Sequence, residues 1–259
     1  MSLLEVTGLR KRFGGIEAVR GLDLSIGEGQ ITGIIGPNGS GKTTLFNLIT
    51  GLLPATEGRI STAGHRNILG LKPHAITRLG IARTFQNLRL FNGMSVLDNV
   101  LVGCSCRSKM SLAGVAFNLP STRGEKRQLA EEAEALLAIF GDRLLASLSR
   151  PASSLSYANR RRLEIARALA TRPRLLLLDE PAAGMNPTES RELMSEILHI
   201  RDRGVTIALI EHDLTVVRGI CNRVIALDHG EKVAEGDFAS VQCHPRVIGA
   251  YLGRGAVHA

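Results

Sequence analysis

Residues 36–44 read GPNGSGKTT and satisfy the spacing G-x-x-x-x-G-K-[ST]. Glycines at these positions let the backbone curl into a concavity whose N–H groups point inward at phosphate oxygens. Gly36, Pro37, Asn38, Gly39, Ser40 and Gly41 make up that loop. Lys42 adds a point charge for the outer phosphates, Thr43 a hydroxyl that can ligate Mg2+, and Thr44 a donor to an inner phosphate. The apolar run ITGII stands immediately before the loop and the helix-like KTTLFNLIT immediately after it. That strand–loop–helix order is what phosphate binding by such a loop requires. A nucleoside triphosphate site also needs a carboxylate for Mg2+ at a strand end. RLLLLDE at 174–180 supplies it: Asp179 for the water shell of the metal, and Glu180, one residue on, as general base toward an attacking water. GTP-binding switches need N-K-x-D and D-x-x-G, and neither pattern occurs.

The elements that must position these residues are legible by period. LLEVTGL, AVRGLDLSI, QITGIIG and GRIST read as strands, and KTTLFNLIT as a helix ending at Gly51 with Pro54 just beyond. Between about 89 and 172 the pattern turns helical, in SVLDNVLVG, EKRQLAEEAEALLAIF and RRRLEIARALA. In the second of these, Leu129, Ala133, Leu136, Leu137 and Phe140 share one apolar face. SCRSKMSLAG and NLPSTRGEK read as loop. RLLLLD and VTIALIEH are continuous apolar strands of the kind buried in a parallel sheet, with ESRELMSEILHIRDRG between them as a helix closed by Gly204. RVIALDHGEKVAEG reads as a hairpin turning at Asp228–Gly230. The expected fold is α/β: a P-loop core with a mixed sheet, antiparallel β elements near the N-terminus and an inserted helical subdomain. The nucleotide-binding core spans 1–88 and 173–236, the insert 89–172, and a helical tail 237–259.

Bulk composition narrows the partners. The 259 residues are 44% hydrophobic and carry a net charge of +8. Such a chain can bury a sizeable core, and its charge suits phosphorylated ligands, nucleic acid or anionic lipid surfaces. Aromatics are 3% with no Trp, so binding of single-stranded nucleic acid by stacking is poorly supported. Cys104, Cys106, Cys221 and Cys243 lack paired zinc spacings and read as reduced thiols. No stretch reads as a signal peptide, and no apolar run approaches the roughly 20 residues that span a bilayer. Any membrane role is expected to come through a partner.

With these motifs in order, the chain resembles the ATP-binding subunits of ABC transporters. GPNGSGKT is similar to their Walker A motif, RTFQN at 83–87 to the Q-loop, LSYAN at 155–159 to the signature motif, LLLLDEP to Walker B with the catalytic glutamate, AAGMNP to the D-loop and IEHD to the H-loop. ARTFQNLRLFNGMSVLDNVLVG, LDEPAAGMNPTES and the ending VIGAYLG look most like the ATPases of high-affinity branched-chain amino acid importers. Urea, amide and aromatic-acid importers use similar ATPases, as do lipid or lipopolysaccharide transporters. A soluble ABC ATPase acting on DNA or ribosomes usually carries two such domains or a long coiled coil, and neither pattern stands here.

The resemblance implies ATP and Mg2+ as ligands, a second ATPase subunit (identical or paralogous), two transmembrane permeases and, indirectly, an extracytoplasmic solute-binding protein, with no nucleic acid. It implies a peripheral position on the cytoplasmic face of the cell's inner membrane. It gives Phe13 the adenine face, Gln86 a role in sensing Mg2+ or the lytic water, and His212 a hydrogen bond to the γ-phosphate. The remaining histidines (65, 74, 199, 229, 244 and 258) are read as no ligand. Ser156 and Ala158 would meet the γ-phosphate held by the other subunit, at a helix N-terminus. Arg160, Arg161 and Arg162 follow directly, and cations there oppose the helix dipole; the expectation is that the nearby polyanion offsets them. The family usually has Gly where this chain has Ala158. If that position is strained, the methyl weakens the composite site; if it is helical, Ala costs little. Asn159 keeps a polar amide and is the milder change.

Overall fold

The computed structural model describes residues 2–64, 67–107 and 120–252. His65, His258 and most of the loop expected at 105–114 lie outside them. β1 (Ser2–Phe13) and β2 (Ile16–Gly27) form an antiparallel hairpin, and β4 (Glu57–Thr62) pairs with the other edge of β1. Along β1, Leu4 and Val6 are buried while Glu5 and Thr7 are exposed, the period of a sheet with one dry face, and a register shift between Val6 and Leu9 returns Leu9 to the buried side. That dry face packs on Leu45, Phe46 and Ile49 of helix α1 (Lys42–Ile49) within one core cluster.

The second sheet has the order β5-β6-β7-β3-β8-β9. β5 (Ile81–Arg83), β6 (Leu175–Asp179), β7 (Thr206–Ile210), β3 (Ile31–Ile35) and β8 (Arg223–Asp228) run parallel. β9 (Glu231–Gly236) returns antiparallel through a tight turn in which His229 and Gly230 both have positive φ. The unbroken apolar runs of β3, β6 and β7 are buried along their whole length because both faces are covered. Alternate residues of these strands divide between two core clusters, one toward β1, β4 and α1, the other toward the helices that follow.

Helix α2 (Pro73–Arg78) precedes β5. β5 and β6 are neighbours in the sheet, yet the chain between them makes α3 (Val96–Ser105), α4 (Pro120–Leu137), α5 (Asp142–Leu145) and α6 (Tyr157–Leu169). Residues 120–124 correct the loop expected from NLPSTRGEK: they are the first turns of α4, ahead of the helix expected from Glu125. Pro120 opens the helix, where its fixed φ fits and its missing N–H would have had no partner. In the expected apolar face, Ala133, Leu137 and Phe140 are buried and Leu129 and Leu136 partly so. Phe140 closes a 3-10 turn, Ala138–Phe140, before Gly141 at φ 79°. α7 (Pro187–Asp202) starts with a capping box between Asn186 and Glu189. α8 (Leu214–Ile220), α9 (Phe238–Gln242) and α10 (Pro245–Leu252) complete the described chain. Among the described residues no helix is long and apolar enough to cross a membrane.

Candidate nucleotide-binding site

The loop 36–44 leaves the end of β3, a central strand, and caps α1. Two glycines are required by contact as well as by dihedral. Gly36 has φ 148°, and a Cβ there would overlap the carbonyl of Leu227. Gly41 has φ 101°, and a Cβ would lie 2.6 Å from the Ala18 carbonyl oxygen. Lys42 is buried and donates from Nζ to the carbonyls of Gly36 (2.7 Å) and Pro37 (2.9 Å), so its charge is held inside the loop. Residues 38–44 line a cavity of about 420 Å3 whose other wall carries Gln86, Glu180 and His212. The residues drawn from four distant parts of the sequence therefore meet in one place.

Glu180 stands in the left-handed region at φ 49°, in the turn that leaves β6, and its N–H donates to Ile210 O at 2.9 Å. Its carboxylate is bracketed: Oε2 accepts from Gln86 Nε2 at 3.0 Å, and Oε1 lies 2.8 Å from His212 Nε2. Asp179 ends β6 beside Glu180 and is 1% exposed. Its Oδ2 accepts from Arg83 Nη2 at 2.7 Å, while Oδ1 has no hydrogen-bond partner among the described residues. A buried carboxylate oxygen without a partner is costly unless something fills the role. An unpaired acceptor oxygen of this kind suits a hydrated divalent cation. Burial pushes the Arg83 guanidinium below its ordinary pKa, and Asp179 pulls it back up. Arg83 also donates to Asn47 Oδ1 and lies against the rings of Phe46 and Phe85.

Phe13, Ser156 and Ala158 stand apart from this cavity. Phe13 is half-exposed at the end of β1, with Lys11 Nζ 4.9 Å from its ring centroid. Ser156 is exposed and caps α6, accepting from the Asn159 N–H at 3.3 Å. Ala158 is helical, at the second residue of α6, and 3% exposed. Backbone strain is therefore no part of its cost, and its methyl group faces into the subunit.

The arginines correct the expectation that a polyanion offsets them. Two of them are paired with carboxylates of the same chain, and the third meets a neutral amide. Arg161 is fully buried: it donates to Phe85 O (2.5 Å), Gln86 O (2.8 Å) and Glu164 (3.0 Å). Arg162 shares its Nε–H between both carboxylate oxygens of Glu196 (2.9 Å each) and donates from Nη2 to Glu192 (3.0 Å), both on α7. Arg160 donates to Asn92. Glu164 in turn accepts from the Arg89 N–H at 3.2 Å, and burial pushes its carboxyl above the usual range despite Arg161. Sequence reasoning misses Arg83 and Glu164, and gives Arg161 a polyanion rather than its partners within the chain. The available signals were an arginine three positions before Gln86 and an Arg–Glu pair at i, i+3 on one helix face.

A strand-borne phosphate loop facing a carboxylate at the end of an acidic strand, with a helical segment inserted before that strand, defines a P-loop nucleotide hydrolase. The profile described as ABC transporter matches residues 19–183, and that described as branched-chain amino acid ATP-binding cassette transporter matches 231–257. The chain belongs to the ABC transporter family as an ATP-binding subunit, an ATPase coupled to transport. It is 42% identical over 97% of its length to the high-affinity branched-chain amino acid transport ATP-binding protein BraF of Pseudomonas aeruginosa, covering 98% of that protein. It is 43% identical, with the same coverage, to LivG of Salmonella typhimurium, which bears the same description. An ATP-binding cassette of an ABC transporter solved in its ADP conformation superposes with TM-score 0.83 at 32% identity, over 98% of this chain and 99% of that one. A bacterial ABC transporter cassette solved as a dimer gives 0.76 at 25%, over 91% and 99%.

Proposed function

We propose that this chain is the motor ATPase of an importer for branched-chain or related amino acids. It works at the cytoplasmic face of the inner membrane with a second ATPase subunit and two permeases, and a solute-binding protein delivers substrate on the far side. The full-length likeness to BraF and LivG supports the substrate class. The dimeric cassette supports a two-subunit arrangement. The observation that carries the hydrolytic reading is the Glu180 carboxylate, bracketed by Gln86 and His212 on the wall facing the phosphate loop.

In this reading the core comprises 1–88 and 173–236, and the insert 89–172 carries the contact with the permeases. Phe13 stacks on adenine, the N–H groups of 36–41 cradle phosphate, Lys42 meets the charge of the outer phosphates, and Thr44 donates to an inner one. Thr43, Gln86 and Asp179 would hold Mg2+, which would neutralise phosphate charge. Glu180 takes the proton of the attacking water. His212 donates to the γ-phosphate, and the N-terminus of the other subunit's signature helix, at its own copy of Ser156, closes over it. Hydrolysis then releases that closure.

Glu180→Gln tests the chemistry. Turnover in the assembled transporter should fall by about 10²–10⁴, the usual worth of a general base, with MgATP binding retained. Near-normal hydrolysis would assign the water to another group. Deleting the gene and measuring growth on single amino acids as nitrogen source tests the cargo; unchanged growth and uptake on leucine, isoleucine and valine would remove it.

A further inference from the structure

β7 ends in Ile210 and is followed by Glu211, a carboxylate 3% exposed that has no part in the reading above. Its Oε1 accepts the Ala182 N–H at 2.9 Å, and its Oε2 accepts the His212 N–H at 3.2 Å. The Asp213 N–H also donates to this carboxylate. Ala182 lies two residues beyond Glu180, in the turn that Glu180 opens in a left-handed conformation. L-residues adopt that conformation at a cost, so the surrounding contacts must hold it in place. Two of them come from the same strand end: Ile210 O receives the Glu180 N–H, and Glu211 receives the Ala182 N–H. One buried carboxylate thus ties the turn carrying Glu180 to the segment carrying His212, whose side chains stand 2.8 Å apart.

We propose that Glu211 is a positioning residue for ATP hydrolysis, setting Glu180 and His212 in register by accepting backbone N–H groups from both of their loops. The inference rests on the reading of Glu180 and His212 as the hydrolytic pair. A carboxylate suits the task because both of its oxygens accept. An amide of the same shape offers one acceptor and one donor, and the donor would face an N–H. Glu211→Gln therefore keeps the volume and breaks one of the two ties.

The test is Glu211→Gln in the assembled transporter. The expected result is a tenfold or greater loss in kcat with the Kd for MgATP within twofold of wild type. In a His212→Ala background, where the pair is already broken, the same substitution should change kcat by less than threefold. A kcat within twofold of wild type overturns the proposal, as does an undiminished loss in the His212→Ala background. If Glu180→Gln is inactive while Glu211→Gln is normal, this inference fails and the hydrolytic reading stands. Should Glu211→Gln not fold, hydrogen exchange on the wild-type transporter decides: slow exchange at the Ala182 and His212 amides supports the ties, and fast exchange at both overturns them.

Discussion

Ala158→Gly asks whether the signature segment is impaired by its methyl group. The side chain sits in the first turn of α6, helical and 3% exposed, under the exposed Ser156 cap. Glycine removes a small buried group and frees the unfolded backbone, which in a helix interior costs about 1 kcal/mol relative to alanine. Position in the first turn trims the figure, so about 0.5–1 kcal/mol is expected. For a chain of this size that is a fall in Tm of roughly 1–4 °C. No gain in activity is expected, because the methyl is buried within the chain. The assay pairs thermal unfolding of the isolated subunit with ATPase rate and ATP-driven dimerisation in the assembled transporter. A clear rise in rate or dimerisation at unchanged Tm would refute the reasoning, since it would mean that the methyl obstructs closure.

Lys42→Ala should weaken MgATP binding, while His212→Ala should mainly lower kcat; equal binding losses by equilibrium titration would refute that division. Arg161→Met leaves the Glu164 carboxylate buried without its cation, a change that typically costs about 3–5 kcal/mol. Urea unfolding reads it, adding Glu164→Gln should recover part, and a loss under about 1 kcal/mol would deny the pair its structural role. Thiol labelling should be fast at the exposed Cys106 and Cys243 and slow at Cys104 and Cys221. Burial raises both of the latter thiols, that of Cys221 to about 12, so little reactive thiolate forms near neutral pH. Fast labelling of native Cys221 would contradict that ordering.

Where a physical signal is local, the sequence carried it. The phosphate loop between an apolar strand and a helix, the buried runs of β6 and β7 and the Asp228–Gly230 turn all depend on neighbours a few residues apart. The beginning of α4 did not read clearly, because Pro120, Ser121, Thr122 and Gly124 are turn formers by composition and the apolar face that holds the helix starts only at Leu129. The fate of the arginines was hidden for another reason. Arg161 meets backbone oxygens 75 and 76 residues away, and backbone partners leave no mark on residue type.

Those long-range contacts join two motifs that are separate in sequence. Arg161 holds the carbonyls of Phe85 and Gln86, Glu164 holds the Arg89 N–H, and Arg167 donates to the Arg89 carbonyl, so side chains of one helix grip the backbone of 85–89. Arg162 fastens the same helix to α7 through Glu192 and Glu196. Three cations at a helix N-terminus oppose its dipole, and an uncompensated set would destabilise it. Here two of the three cations are matched by buried or half-buried carboxylates, and the geometry of those matches sets where the Q-loop lies. Because Gln86 in turn hydrogen-bonds Glu180, the exposed end of the signature helix and the Glu180 carboxylate are linked through one unbroken set of contacts: Ser156 to α6, Arg161 to the Gln86 backbone, and the Gln86 amide to the carboxylate.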